Sequence, residues 1–197
     1  YIKSKKLSDA VELGAGTGII SLLLLAKDKV RHIEAIELQT EFASLCRRNA
    51  DINGYGQRLS VHCEDIRNVG SFLPCGTFPL VFSNPPYLKN KSGLHNNSKM
   101  MSVARRELNG TIGDFCAAAA KLLCTGGSFY CVYRPDRLAG LMFSLRLNRL
   151  EPKRLTFIHS HYGAPPSLLL MESRLDSGEE LKITRPLFIY TDGVSRA

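Results

Sequence analysis

The sequence predicts an α/β fold: a mostly parallel sheet with helices on both faces, finished along one edge by antiparallel strands. Two observations predict it. Through the first two-thirds of the chain, apolar runs of strand length alternate with longer stretches of helical spacing, the pattern of successive β-α-β units. The last third changes character, giving strand-like runs with no long helix between them, which suits an antiparallel edge.

Taken in order, buried strands are expected at residues 10–13, 33–36, 59–62, 80–82 and 129–132, and helices at 18–27, 40–53, 113–123 and 135–150. Pro135 opens the last helix, where its fixed φ and missing N–H are tolerated. The strands of the final third fall at 155–158, 168–171 and 187–190. A chain of 197 residues, 44% hydrophobic and 22% charged, suffices for one domain with a sizeable core, so a single domain over 1–197 is expected. The first strand-like run follows Tyr1 almost at once, so a segment that precedes it is expected to be missing.

The apolar run from Ile19 to Ala26 is far shorter than the roughly 18 residues a membrane-spanning helix needs. No charged-then-apolar leader opens the chain, and a soluble, cytoplasmic, monomeric protein is expected. The six cysteines, at 46, 63, 75, 116, 124 and 131, form no C-x-x-C pair, which argues for reduced, mostly buried thiols rather than a zinc site or disulfide framework. His32, His62, His95, His159 and His161 have no ligand spacing, so no metal is expected.

A net charge of +8 creates a field that draws in a polyanion. Residues 84–110 concentrate it, with Lys89, Lys91, Lys99, Arg105 and Arg106 against the single acid Glu107. These five cations are the candidate nucleic-acid contacts. A solvated loop without a partner is the other reading of the same charges.

Val11-Glu12-Leu13-Gly14-Ala15-Gly16-Thr17-Gly18 places three glycines at alternate positions where a buried strand turns into a helix. Glycine lets backbone N–H groups approach a ligand closely, and the helix start adds a partial positive charge. A dinucleotide fold reads G-x-G-x-x-G, whereas this turn reads G-x-G-x-G with an acid two residues before it. That acid is compatible with a ligand that brings an amino acid and a sulfonium, as S-adenosylmethionine does, instead of a pyrophosphate. Glu37 ends the next strand at the distance where such a unit sets a carboxylate on a ribose diol. Asp65, followed by Ile66, stands after the third strand and is the candidate partner of the ligand's adenine amino group, or else a plain helix N-cap.

Ser83-Asn84-Pro85-Pro86-Tyr87 directly follows an apolar strand and is the most specific signal in the chain. An amino group on a heteroaromatic ring is a poor nucleophile because its lone pair is delocalised. Two oxygens aimed at its hydrogens help the nitrogen pyramidalise and stabilise the charge that grows as it attacks an activated methyl. The Asn84 side chain and the Pro85 carbonyl can supply that pair. Successive prolines hold the geometry before the substrate arrives. Tyr87 offers a face on which an unpaired purine can stack. A Pro-Pro turn with a buried tyrosine is the non-functional alternative.

With these motifs the chain resembles the class I methyltransferases, and within them the amino-methylating group that carries Asn-Pro-Pro-Tyr. It is most similar to the bacterial tRNA(Val) adenine-N(6)-methyltransferase family. The likeness also runs through Ala104-Arg105-Arg106-Glu107, Asp114, Gly126-Gly127, Leu150-Glu151-Pro152-Lys153-Arg154-Leu155 and Pro186-Leu187-Phe188-Ile189-Tyr190. It implies a Rossmann-like, seven-stranded sheet and S-adenosylmethionine as methyl donor. Glu12, Gly14, Gly16 and Gly18 would cradle the methionine part, Glu37 the ribose, and Asp65 and Ile66 the adenine. Asn84, Pro85, Pro86 and Tyr87 would receive the target adenine of a tRNA, next to the anticodon, with Asn84 also bordering the cofactor. The family often has Asp where Glu12 stands. A glutamine side chain of a protein, as in release-factor methyltransferases, also presents a planar NH₂ to the same motif. Adenine in rRNA or DNA, and a non-catalytic RNA-binding fold, complete the alternatives.

Overall fold

Buried strands in the middle of a sheet must be apolar on both faces, and the runs that meet this condition form its centre. The computed structural model describes residue 2, residues 8–86 and residues 110–190. Five strands, β1 (Asp9–Leu13), β2 (His32–Ile36), β3 (Leu59–His62), β4 (Phe78–Ser83) and β5 (Leu123–Tyr133), pair in parallel. β6 (Leu150–His159) and β7 (Pro166–Leu175) form an antiparallel hairpin, and β7 inserts between β5 and β6. The order is β3-β2-β1-β4-β5-β7-β6, with β8 (Lys182–Ile183) and β9 (Leu187–Phe188) on the outer side of β6.

Nine strands are present where seven were expected, because the two short outer pieces also pair. The run at 187–190 was expected to lie antiparallel, yet Leu187–Phe188 pairs with β6 in parallel. Direction decides this. β7 ends opposite the start of β6, Leu175 facing Leu150, so a chain that returns along the free edge of β6 must run the way β6 runs.

Helices α1 (Ile19–Ala26) and α2 (Thr40–Ile52) cover one face, and α3 (Ile112–Leu122) and α4 (Leu138–Leu147) the other. Ala10, Ile33, Ala35, Leu80 and Phe82 pack with Leu25, Cys46 and Ala50 on the first face. Val11, Val81, Phe129 and Met171 pack with Phe115, Ala119, Leu141 and Leu145 on the second. Each large side chain so buried contributes roughly 1.5–3 kcal/mol.

The helix expected at 135–150 is shorter. Pro135–Arg137 makes a 3-10 turn, α4 follows, and Arg149 at φ 61° reverses the chain into β6. Thr111 and Asp114 form a reciprocal capping box at the start of α3, satisfying amides the first turn leaves open.

Cys46, Cys116 and Cys131 are buried, Cys75 is exposed, and Cys63 and Cys124 are intermediate; all six are free. Burial pushes the Cys46 thiol up to about 11 and the Cys116 thiol to about 12, which keeps both protonated and unreactive.

Strands leave β1 in opposite directions across the sheet, β2 and β3 to one side and β4 and β5 to the other. The crevice at such a reversal, beyond the carboxyl ends of the strands, is where this architecture binds ligands.

Candidate active site

Leu13 and Ser83 are register partners at the ends of β1 and β4, and the Ser83 hydroxyl donates to the Leu13 carbonyl at 2.6 Å. Gly14 and Asn84 therefore leave the sheet side by side. Gly14 and Ala15 both donate their amides to the Ile36 carbonyl at 2.9 Å, which fastens the glycine turn to the end of β2. Gly14, Gly16 and Gly18 have φ of 70°, 55° and 79°, a region in which other residues are strained.

The three glycines have different reasons to be there. A Cβ on Gly14 would lie 3.3 Å from the Phe115 ring, and one on Gly18 only 2.5 Å from the Cys46 sulfur. Nothing lies within 4 Å of where a Gly16 Cβ would stand. Gly18 thus permits close packing of α1 on α2, whereas Gly16 keeps space open.

Glu37 is 6% exposed, and its two carboxylate oxygens accept the amides of Gly16 at 2.8 Å and Gln39 at 2.9 Å. These bonds pin the carboxylate and leave each oxygen a further lone pair, the arrangement that holds a vicinal diol.

A cavity of about 200 Å³ opens in front of this carboxylate. Gly14, Gly16, Glu37, Asp65, Ile66, Asn84 and Pro86 line it. Asn84 and Pro86 are exposed, and Pro85 between them is buried. Residues from the ends of four strands thus meet at one hollow. A larger hollow of about 300 Å³ lies between α1 and the sheet, walled by Ile20, Leu24, Phe82 and Tyr130. None of the motif acids or glycines reaches it.

Asp65 does two things at once. It caps the 3-10 turn Ile66–Ser71 by accepting the Arg67 amide at 2.8 Å, and it binds the Arg67 guanidinium, which holds its carboxyl below the usual carboxylate range. It also borders the cavity. Asp65 is thus an N-cap that stands at the cavity wall.

Glu12 does not line the cavity. Strand alternation turns Val11 and Leu13 toward α3 and α4, and Glu12 the other way, where the Ser21 hydroxyl donates to it behind the glycine turn. At 1% exposure, burial pushes its carboxyl up to about 8; Ser21 opposes the shift and the Glu37 charge adds to it. Glu12 is thus held neutral near pH 7. Gly18 is likewise absent from the cavity wall.

Leu38, Gln39, Phe42 and Phe115 line the cavity without having been foreseen. Leu38 follows the motif acid directly and could have been found by position. Phe115 could not, since its helical spacing marks only the core face of α3. Tyr87, Lys89, Lys91, Lys99, Arg105 and Arg106 lie outside the described residues. Among the described residues, no group of three or more His, Cys, Asp or Glu could hold a metal, and no helix is long and apolar enough to cross a membrane.

Residues 2–139 match the family model of the methyltransferase small domain. The chain belongs to this family. Its curated relatives include a protein of Citrobacter koseri named tRNA1(Val) (adenine(37)-N6)-methyltransferase, 30% identical over 191 residues that cover 93% of this chain and 76% of the relative. A protein of the same name from Porphyromonas gingivalis is 28% identical over 166 residues, covering 83% of this chain and 64% of the relative. The chain thus spans less than two-thirds of the length of that relative. Among solved structures, a protein described as a predicted O-methyltransferase from Agrobacterium tumefaciens superposes with a TM-score of 0.76 at 22% identity, covering 95% of this chain and 83% of that one. TrmN from Thermus thermophilus does so with a TM-score of 0.62 at 16% identity, covering 85% and 44%. Both likenesses show the class I methyltransferase fold.

Proposed function

We propose that this methyltransferase moves a methyl group from S-adenosylmethionine to the exocyclic amino group of an adenine in tRNA, next to the anticodon. The observation that carries the reading is the shared wall: Asn84 and Pro86 border the same cavity as Glu37, Gly16 and Asp65. The relatives named for adenine-37 of tRNA1(Val) support the substrate, and the +8 charge suits a polyanionic one.

The residues fit the donor. Glu37 would accept the ribose hydroxyls, the space before Gly16 would take the methionine part, and Ile66 and Asp65 would hold the adenine. Glu12 and Gly18 would act at one remove, by holding the turn in shape. When bound, S-adenosylmethionine supplies an electrophilic methyl on a sulfonium. The chain's own part is to seat the target base. The Asn84 side-chain oxygen and the Pro85 carbonyl would accept its two N–H bonds and stabilise the positive charge that develops on nitrogen. No strong base is required, because the amine loses its proton readily once methylated. Tyr87 would stack on the base, and Lys89, Lys91, Lys99, Arg105 and Arg106 would hold phosphates.

Unmodified tRNA incubated with protein and methyl donor should yield N(6)-methyladenosine on nucleoside mass spectrometry. Asn84→Ala should abolish that product while calorimetric binding of S-adenosylmethionine persists. Near-normal turnover by Asn84→Ala would refute the mechanism.

A further inference from the structure

The strands that carry the cavity are not the only ones ending at that edge of the sheet. Tyr133 at the end of β5 faces Leu169, Leu169 faces Phe157, and Pro166 faces His159. The turn between β6 and β7 therefore overhangs the edge from which Gly14 and Asn84 emerge. On this overhang three rings gather. Phe188 of β9 lies 5.4 Å from His159 and 6.0 Å from Tyr162, measured between ring centroids.

The cluster is exposed yet firmly tied. Tyr162 is 87% exposed and Phe188 40%, while His159 is half-buried. The His159 ring bonds the Ala164 carbonyl at 2.6 Å, and the amides of Ile189 and Tyr190 donate to the carbonyls of His159 and Ser160 at 3.0 and 2.8 Å. Single exposed rings are ordinary, whereas a contiguous group held by backbone bonds at a functional edge is a binding surface in form. The segments that carry the rings are also free of acids. Residues 152–171 and 181–191 contain no Asp or Glu, while Lys182 and the exposed Arg185 belong to them.

We propose that Tyr162 and Phe188, bracketed by His159, form a stacking platform for unpaired bases of the RNA substrate that flank the methylated one. This rests on the RNA reading above. Exposed rings on a segment without acids match how single-stranded nucleic acid is held, with bases stacked on aromatic faces. The reach is suitable. β9 stands four strand positions from β4, about 19 Å at the usual strand spacing, a span of several nucleotides. The target base and its flanking loop could thus occupy both places at once.

Steady-state methylation of an unmodified tRNA(Val) transcript tests it. Tyr162→Ala should raise KM about five-fold or more with kcat unchanged, Tyr162→Phe should restore wild-type behaviour, and S-adenosylmethionine affinity should not move. Melting curves of the Tyr162 variants should match the wild type, given how little of that ring is buried. Phe188→Ala, taken with its melting curve, should raise KM in the same way. If the wild-type protein methylates the transcript and Tyr162→Ala leaves KM unchanged, the platform is refuted and the RNA activity stands. If the wild-type protein neither binds nor methylates it, both fall together.

Discussion

Glu37 accepts the Gly16 amide at 2.8 Å, joining the end of β2 to a turn 21 positions earlier in the chain. One carboxylate thereby shapes the glycine turn and faces the cavity that the turn encloses. Its two roles cannot be separated by substitution, but they can be weighed.

Glu37→Gln replaces one oxygen with an NH₂ that would confront a backbone N–H, of Gly16 or of Gln39. Bonds to a charged acceptor contribute about 1.5–3 kcal/mol each, so affinity for S-adenosylmethionine should fall roughly 10- to 100-fold. Calorimetric titration measures this, and an unchanged dissociation constant would mean that the carboxylate does not contact the ligand.

Gly18→Ala should destabilise the fold, for two separable reasons. The left-handed φ costs about 1–2 kcal/mol for a residue with a Cβ, and the new methyl meets the Cys46 sulfur at 2.5 Å. Removing that sulfur with Cys46→Ala should recover the steric part in the double variant and leave the backbone part. Denaturant melts of the four proteins should therefore be non-additive. Simple additivity would show that the two residues do not press on each other.

Glu12 gives stability a pH dependence whose sign can be worked out. Its carboxyl rises from an ordinary 4.5 to about 8 on folding, so between those values the native state holds a proton that the unfolded chain has released. Stability contributed through this group is complete below about pH 4.5, falls as pH rises toward 8, and changes no further above that. Glu12→Gln cannot ionise. Its melting temperature relative to wild type should climb from about pH 5 to about pH 8, and a difference that stays flat across that range would contradict a buried neutral carboxyl.

Much of the architecture was legible because it rests on local signals. The strand at 59–62 and the start of α2 follow from apolar runs and their spacing, and the glycine turn from residues that tolerate positive φ. The expected helix at 135–150 ran too long because periodicity continues into β6, where Leu150 is buried as a strand residue. The pairing of 187–190 was misjudged for another reason: strand direction belongs to the path of the chain, which composition does not encode.

The sequence by itself determined which residue types were available for the chemistry: three alternate glycines, an acid after the second strand, and Asn-Pro-Pro after the fourth. Only the tertiary structure decided what each of them does. Packing turned Glu12 toward Ser21 and Gly18 against Cys46, and it brought Phe115 to the cavity and the Tyr162 ring to the same sheet edge. The reason is geometric. A motif fixes spacing along the chain, whereas the face of a strand on which a side chain falls, and what waits there, is set by elements many residues away.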